Sequence, residues 1–355
     1  MSLLDRYLMR SILGAVGLVV SVLLALGALF TFIDQQEDIG SGNYTALSAM
    51  WYTLLNLPLQ AFELLPISAL IGALLGLGSL ARGSELTVIR ATGVSVARLA
   101  SMAFLAALVL LGAAVALGEF LGPALQQTAR EHKAFSRLSN VSIGGASGAW
   151  VRDGNLILHV VGQSGQSEFG GMQIFELSPQ HELRSLGRAQ RASAGSKGTW
   201  QLTGYTESRF QDDTVTRAAP GARLLRSNVT AGFLGLAIEN PDQLTNRALW
   251  RLISYYRTNG LADREYVFAF WSRIARTVAI LFTVLLAIPF VLGSLRSAGA
   301  GTRMLMGLLL GLGFFLLQRL IQSGTVVFNL NPIVLAWLPT SLLAVVTVGL
   351  LARAR

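Results

Sequence analysis

The chain has 355 residues, of which 52% are hydrophobic and only 13% charged, and it carries a formal net charge of +9 at pH 7. With a mean hydropathy of +0.55, that balance excludes an ordinary soluble domain and defines an integral membrane protein. The absence of cysteine excludes disulfide frameworks, thiolate zinc sites and cysteine nucleophiles, and in so apolar a chain the positive charge points to anionic lipid rather than nucleic acid.

Residues 11–33 form an uncharged apolar run, long enough to cross a hydrocarbon core of about 30 Å at about 1.5 Å per residue. It exceeds a signal-peptide core, and no small-residue cleavage site follows. Further spans read at about 58–81, 99–120, 272–294, 303–322 and 333–352, which predicts six transmembrane helices. The second contains Pro58, Glu63 and Pro66. A carboxylate at mid-membrane is costly, so Glu63 is expected near the outer interface or against protein. The glycines of IGALLGLGSLA suit close helix packing.

Arginines set the orientation. Arg6 and Arg10 precede the first span, Arg82, Arg90 and Arg98 lie between the second and third, Arg296 and Arg303 between the fourth and fifth, and Arg353 and Arg355 close the chain. The opposite loops, 34–57 and 323–332, hold no lysine or arginine, so both termini are expected in the cytoplasm. The segment 123–265 then lies outside it. Its short β-rich runs, GAWVRDGNLILHVVG, GGMQIFELSPQHELRSLGR and GTWQLTGYTESRF, are punctuated by turn residues and predict an antiparallel β sandwich or jelly roll. The expected divisions are 1–122 for three spans, 123–265 for the β domain and 266–355 for three more spans.

No Gly-x-x-x-x-Gly-Lys-Ser/Thr loop is present, and Lys133 and Lys197 are the only lysines. Any ATP must therefore be bound by another polypeptide. His132, His159 and His181 form no His-Glu-x-x-His motif, and no Gly-x-Ser-x-Gly elbow occurs. The chain is not expected to be an enzyme or to hold a cofactor or metal. Between spans two and three, ARGSELTVIRATGVSVARLA (81–100) reads as a cytoplasmic helix at about 84–97. Ser84 is its expected N-cap, with Glu85 near the positive end of the dipole. Leu86, Ile89, Val94 and Ala97 form an apolar stripe, and Glu85 and Arg90 offer charged handles to a soluble partner. A passive connector whose arginines only set topology is the alternative.

The segments SELTVIRATGVS, FIDQ (32–35), YTLLNLP (52–58) and GEFLGP (118–123), in a layout of three spans, a β domain and three spans, resemble the LptF/LptG family of lipopolysaccharide export permeases over essentially the whole chain. The resemblance implies a permease subunit in the bacterial inner membrane that takes lipopolysaccharide from the outer leaflet and passes it to a periplasmic bridge. It implies a heterodimer with a paralogue, which would be an LptF-type permease, two LptB-type ATPase subunits that bind the ATP, and an LptC-type periplasmic partner. The β domain would be a periplasmic jelly roll, and Ser84, Glu85, Leu86, Ile89 and Arg90 would couple to the ATPase. A non-transport envelope scaffold is the reading outside the family.

A phosphorylated glycolipid needs cations at the outer rim. Arg130, Lys133 and Arg137 fall at i, i+3 and i+7 on one helical face continuing the third span. In the family pattern, basic residues at the positions of Arg130 and Lys133 contact lipid A phosphates, and Arg137 extends that face. Arg273 and Arg319, near the outer ends of spans four and five, are further candidates, with interfacial anchoring as the alternative role. Trp271 fits an aromatic belt. Where the family is often basic, this chain has Thr31, Glu37 and Asp38, which makes that side of the rim less cationic.

Overall fold

The computed structural model describes residues 3–353 apart from 42, 138–148, 164–167, 179, 181, 196–198, 212–213, 228, 230–233, 235–240, 242–243, 262, 294–298 and 328–329. Helix α1 (Leu3–Asp34) ends in a 3-10 turn (Gln36–Asp38) and is followed by α2 (Ala46–Arg82), the short α3 (Glu85–Ala91) and α4 (Val96–Val115). A π-helical turn (Ala116–Leu121) joins α4 to α5 (Gly122–Arg137). Seven strands follow, β1 (Ala149–Asp153), β2 (Leu156–Gln163), β3 (Glu168–Leu177), β4 (Leu183–Ala194), β5 (Thr199–Gln211), β6 (Thr214–Arg217) and β7 (Gly221–Arg226). Helices α6 (Asn246–Thr258), α7 (Arg264–Leu292), α8 (Ala300–Val327) and α9 (Pro332–Arg353) complete the described chain.

Among the described residues, five helical stretches are long and apolar enough to cross a membrane, Leu3–Asp38, Ala46–Arg82, Val96–Arg130, Arg264–Leu292 and Pro332–Arg353. In α8 the described apolar stretch, Leu305–Gln318, is shorter. Several helices extend well past the apolar runs, because the backbone ladder continues into amphipathic ends that water can solvate. Thus α2 begins at Ala46, ahead of Pro58, with the Thr45 side chain accepting the Ser48 N–H. Pro58 and Pro66 lie inside it.

Helix α2 runs through the core of the bundle, packed against α1, α4 and α7. Leu8, Ile12, Val16 and Val19 bury one stripe of α1, and Gly72 and Gly76 of α2 face it. A Cβ on Gly72 would lie 2.5 Å from Val16 Cα, and one on Gly76 would lie 2.8 Å from the Ser11 carbonyl oxygen. Ser11 Oγ donates to the Gly76 carbonyl at 3.1 Å. The glycines therefore allow backbone-to-backbone approach, the packing mode available where lipid supplies no hydrophobic drive. The C-terminal half of α1 (Leu26, Leu29, Phe30) and one flank of α8 (Leu312, Phe315, Leu316) remain exposed.

Helices α5 and α6 occupy the ends of the interval 123–265, and the strands lie between them. The described strands form one antiparallel sheet in the order β1-β2-β3-β4-β5-β6, with β7 also paired to β5. The Asp153-Gly154 turn, with φ +60° at Gly154, closes the β1–β2 hairpin. Among the described residues β1 to β6 follow one another as an antiparallel meander within a single sheet. One face buries Val151, Leu158, Val160, Met172, Ile174 and Trp200, and Trp200 Nε1 donates to the Val229 carbonyl at 3.0 Å. Tyr205 lies over Gly187 of β4, where a Cβ would come 2.2 Å from its oxygen.

Candidate functional site

At the end of the bundle next to the β sheet, α5 carries Arg130 and Lys133. Lys133 is not presented bare. Its Nζ lies 2.5 Å from Asp38 Oδ2 and donates to Gln35 Oε1 at 2.6 Å. It also lies 5.1 Å from the Tyr52 ring centre and 5.8 Å from that of Tyr44, within the range of cation–π attraction. Tyr44 is buried and donates to Gln35 Oε1. The Asn43 N–H donates to the Ser136 carbonyl at 2.7 Å, fastening the α1–α2 hairpin to α5. Arg130 is half-buried one turn nearer the membrane. The side chains of Arg137 and Arg319 lie outside the described residues.

Arg273 departs from expectation. Its side chain is only 6% exposed and its Nε contacts Glu119 Oε1 at 3.2 Å. It also donates to the Gly118 carbonyl and stands over the Phe62 ring at 4.8 Å. A phosphate ligand at the rim is thereby replaced by an internal ion pair, because the π turn brings Glu119 toward α7 and a buried guanidinium needs an anion. Glu119 also accepts from the Asn246 N–H at 3.1 Å, so it meets the first residue of α6. Around it Trp250, Phe270, Trp271 and Trp337 form an aromatic chain with ring centres 5.6–6.4 Å apart. Trp271 thus contacts two aromatic neighbours.

On the opposite side, the expected helix at 84–97 is two elements. It stops at Ala91, because Gly93 adopts φ +92°, and α4 restarts with Ser95 accepting the Arg98 N–H. Val94 and Ala97 therefore do not extend the stripe of Leu86 and Ile89. Ser84 holds the N-cap position without capping. Its φ of 63° is left-handed, and its side chain makes no cap hydrogen bond. Leu86 is buried in the bundle core and anchors α3, with Ile89 half-buried. Glu85 accepts from Tyr7 Oη at 2.6 Å. Glu85, Val88 and Arg90 face outward, Val88 being 61% exposed. A cleft of about 350 Å³ separates Leu86 and Arg90 from Val291 and Leu292 of α7. Arg98 pairs with the buried Asp5 at 3.0 Å, tying the starts of α1 and α4 together beside α3.

Sequence reasoning missed Val88, Asp5 and Glu119. Val88 was legible as an apolar residue off the packing stripe; the other two carry no local signal, since their partners are remote in sequence. Among the described residues no group of three His, Asp or Glu side chains could hold a metal ion.

Bundled apolar helices, an inserted β sheet and an exposed short helix between two apolar ones define a polytopic membrane protein. The chain belongs to the LptF/LptG family of lipopolysaccharide export system permeases, whose family model matches residues 6–353. It is 30% identical, over 99% of its own length and 98% of the relative's, to the lipopolysaccharide export system permease protein LptG of Escherichia coli strain K12. The LptG of Haemophilus influenzae is 29% identical over 99% of each chain. The LptF of Escherichia coli strain K12 is 23% identical over 94% of this chain and 90% of its own. Membership and the apolar helices make this a multi-pass protein of the inner membrane, and the family is one of permeases rather than of enzymes.

Proposed function

We propose that the chain is the LptG-type permease subunit of an ATP-driven lipopolysaccharide exporter. The observation that carries this reading is the end-to-end likeness to LptG proteins at 30% identity, against 23% to LptF. In this reading the chain spans the membrane six times, with both termini cytoplasmic and a periplasmic β domain of jelly-roll type. An LptF-type permease completes a heterodimer, two LptB-type subunits bind and hydrolyse ATP, and an LptC-type protein continues the path outward.

The physical task explains the parts. Moving an acyl chain into water costs about 0.8 kcal/mol per methylene, so several chains must stay covered and the step must be driven. The exposed apolar flanks of α1 and α8 supply walls against which chains could lie between two subunits. Arg130 and Lys133 would meet the lipid phosphates, with Arg137 and Arg319 as further cations of the rim and Arg273 holding the bundle behind them. Ser84, Glu85, Leu86, Ile89 and Arg90 belong to the segment that would receive the ATPase stroke. Of these, Glu85 and Arg90, with Val88, are the outward contacts. Closure of the ATPase dimer would then narrow the cavity and push lipid outward.

The test is purification of the tagged chain from its native membrane in mild detergent, with mass spectrometry of bound proteins and lipids. Recovery of an ATPase, a sister permease and lipopolysaccharide together is expected. Recovery of the intact, folded chain with none of them overturns the reading.

A further inference from the structure

We propose that Asp38 is a built-in counter-anion that occupies the phosphate place on Lys133, and that the arriving lipid phosphate must displace it. This rests on the reading above that Lys133 meets a lipid phosphate. An ammonium has three donor protons. Here it has Asp38 at 2.5 Å and Gln35 at 2.6 Å, with the Tyr52 and Tyr44 rings alongside. The side chains of Lys133 and Asp38 are only 21% and 17% exposed. With two of its three protons engaged and the side chain only 21% exposed, the ammonium is contested ground, and an arriving phosphate competes with the carboxylate for it. It is equipped to do so, since it carries up to twice the charge and three strong acceptor oxygens.

The displacement has a mechanical consequence. Gln35 and Asp38 belong to the turn that ends α1, whereas Lys133 belongs to α5. The pair therefore clasps the outer end of the exposed α1 flank to the helix that leads to the β domain. Gly40, whose φ of +93° suits glycine, turns the chain just beyond the clasp, and its N–H donates to the Tyr44 carbonyl at 3.0 Å. Loss of the carboxylate contact would leave the α1 turn tied to α5 only through the Gln35–Lys133 and Asn43–Ser136 hydrogen bonds, loosening it when the lipid headgroup arrives. The acidic Asp38 thus makes headgroup phosphate a condition for loosening the outer rim, which turns a departure from the basic family pattern into a specificity device. Asp38 acts through Lys133 and is a positioning residue.

The test uses the full-length chain with its co-purifying subunits in nanodiscs, titrated with lipopolysaccharide and with the same lipid after enzymatic dephosphorylation. Asp38→Asn is expected to tighten binding of the phosphorylated lipid about tenfold, the scale of one hydrogen bond to a charged group, and to leave the dephosphorylated lipid unchanged. Lys133→Gln should weaken only the phosphorylated lipid, and the double variant should show no gain over Lys133→Gln. In parallel, spin labels at Glu37→Cys and His132→Cys, with cysteine-free partner subunits, should move apart on adding phosphorylated lipid and stay put with the dephosphorylated one. If Lys133→Gln weakens binding while Asp38→Asn changes nothing and the labels do not move, Asp38 is no competitor and the inference falls while the phosphate reading stands. If no variant distinguishes the two lipids, or neither lipid binds, the phosphate reading of Lys133 falls and the inference with it.

Discussion

Arg273 and Glu119, 154 positions apart in sequence, meet at 3.2 Å at the end of the bundle next to the β sheet. Glu119 sits in the π turn through which α4 leaves the bundle toward the β sheet, and it accepts from the N–H of Asn246, where α6 begins the return. A single carboxylate therefore joins the outgoing and incoming connections of the inserted domain to α7. Gly118 beside it allows Phe62 to close over the pair, since a Cβ there would lie 2.8 Å from the ring.

Arg273→Ala removes the buried partner and leaves Glu119, 23% exposed and still accepting from Asn246, without its counter-charge, which places the cost at the low end of about 3–5 kcal/mol. The expected outcome is a markedly lower unfolding midpoint for the chain in nanodiscs. Arg273→Met combined with Glu119→Gln, which removes both charges, should recover much of the loss. Equal midpoints for wild type and Arg273→Ala would show that the pair does not hold the bundle.

Gly72→Leu should destabilise the α1–α2 seam by about 1–3 kcal/mol or more, because the added side chain meets Val16 backbone that cannot give way. Gly112→Leu, with nothing within 4 Å of its Cβ position, should be near neutral. Thermal unfolding of the two variants side by side checks the contrast.

In the β domain, burial alone would raise the Glu207 carboxyl, but the hydrogen bond from Arg209 and the charge of Arg223 outweigh it and hold it below the usual carboxylate value. Arg223 Nη1 lies 3.0 Å from Glu207 Oε2. A carboxyl with a depressed folded pKa contributes stability above its unfolded value of about 4.3, and that stability is lost as pH falls through the folded value. Glu207→Gln should therefore lower the hydrogen-exchange protection of β4 and β5 at neutral pH. The gap to wild type should close under acid.

Glu85→Ala and Val88→Asp change outward positions of α3 and should leave insertion and fold intact. Each should reduce ATP-driven release of lipid from reconstituted exporter about fivefold or more, the scale of an interface contact worth about 1 kcal/mol. Tyr7→Phe, which leaves Glu85 in place but removes the 2.6 Å bond to it, should change release less. Full release by both α3 variants would make the helix a passive connector.

Much of this was legible in the chain alone, and the reason is the solvent. A bilayer demands long apolar runs with internally satisfied backbone, so residues 11–33 and their counterparts declare themselves as spans by length and composition. The glycines of IGALLGLGSLA announced a close seam, and Gly72 and Gly76 form it against α1. The β runs were marked by turn residues such as Asp153-Gly154 and by alternation along each strand. These are local signals, written within a few residues of where they act.

The fates of the charged groups were decided only by the tertiary structure. Arg273 and Lys133 read alike as rim cations, yet one is buried against Glu119 and the other is clasped by Asp38. Leu86 and Val88 read as parts of one apolar helix, yet the first enters the core and the second faces outward. A charge in a low-dielectric environment takes whichever counter-charge the packed helices bring within about 4 Å. That partner can stand anywhere in the sequence, so apolar patterning determined the spans, while the meeting of distant elements determined which polar groups remain available for function.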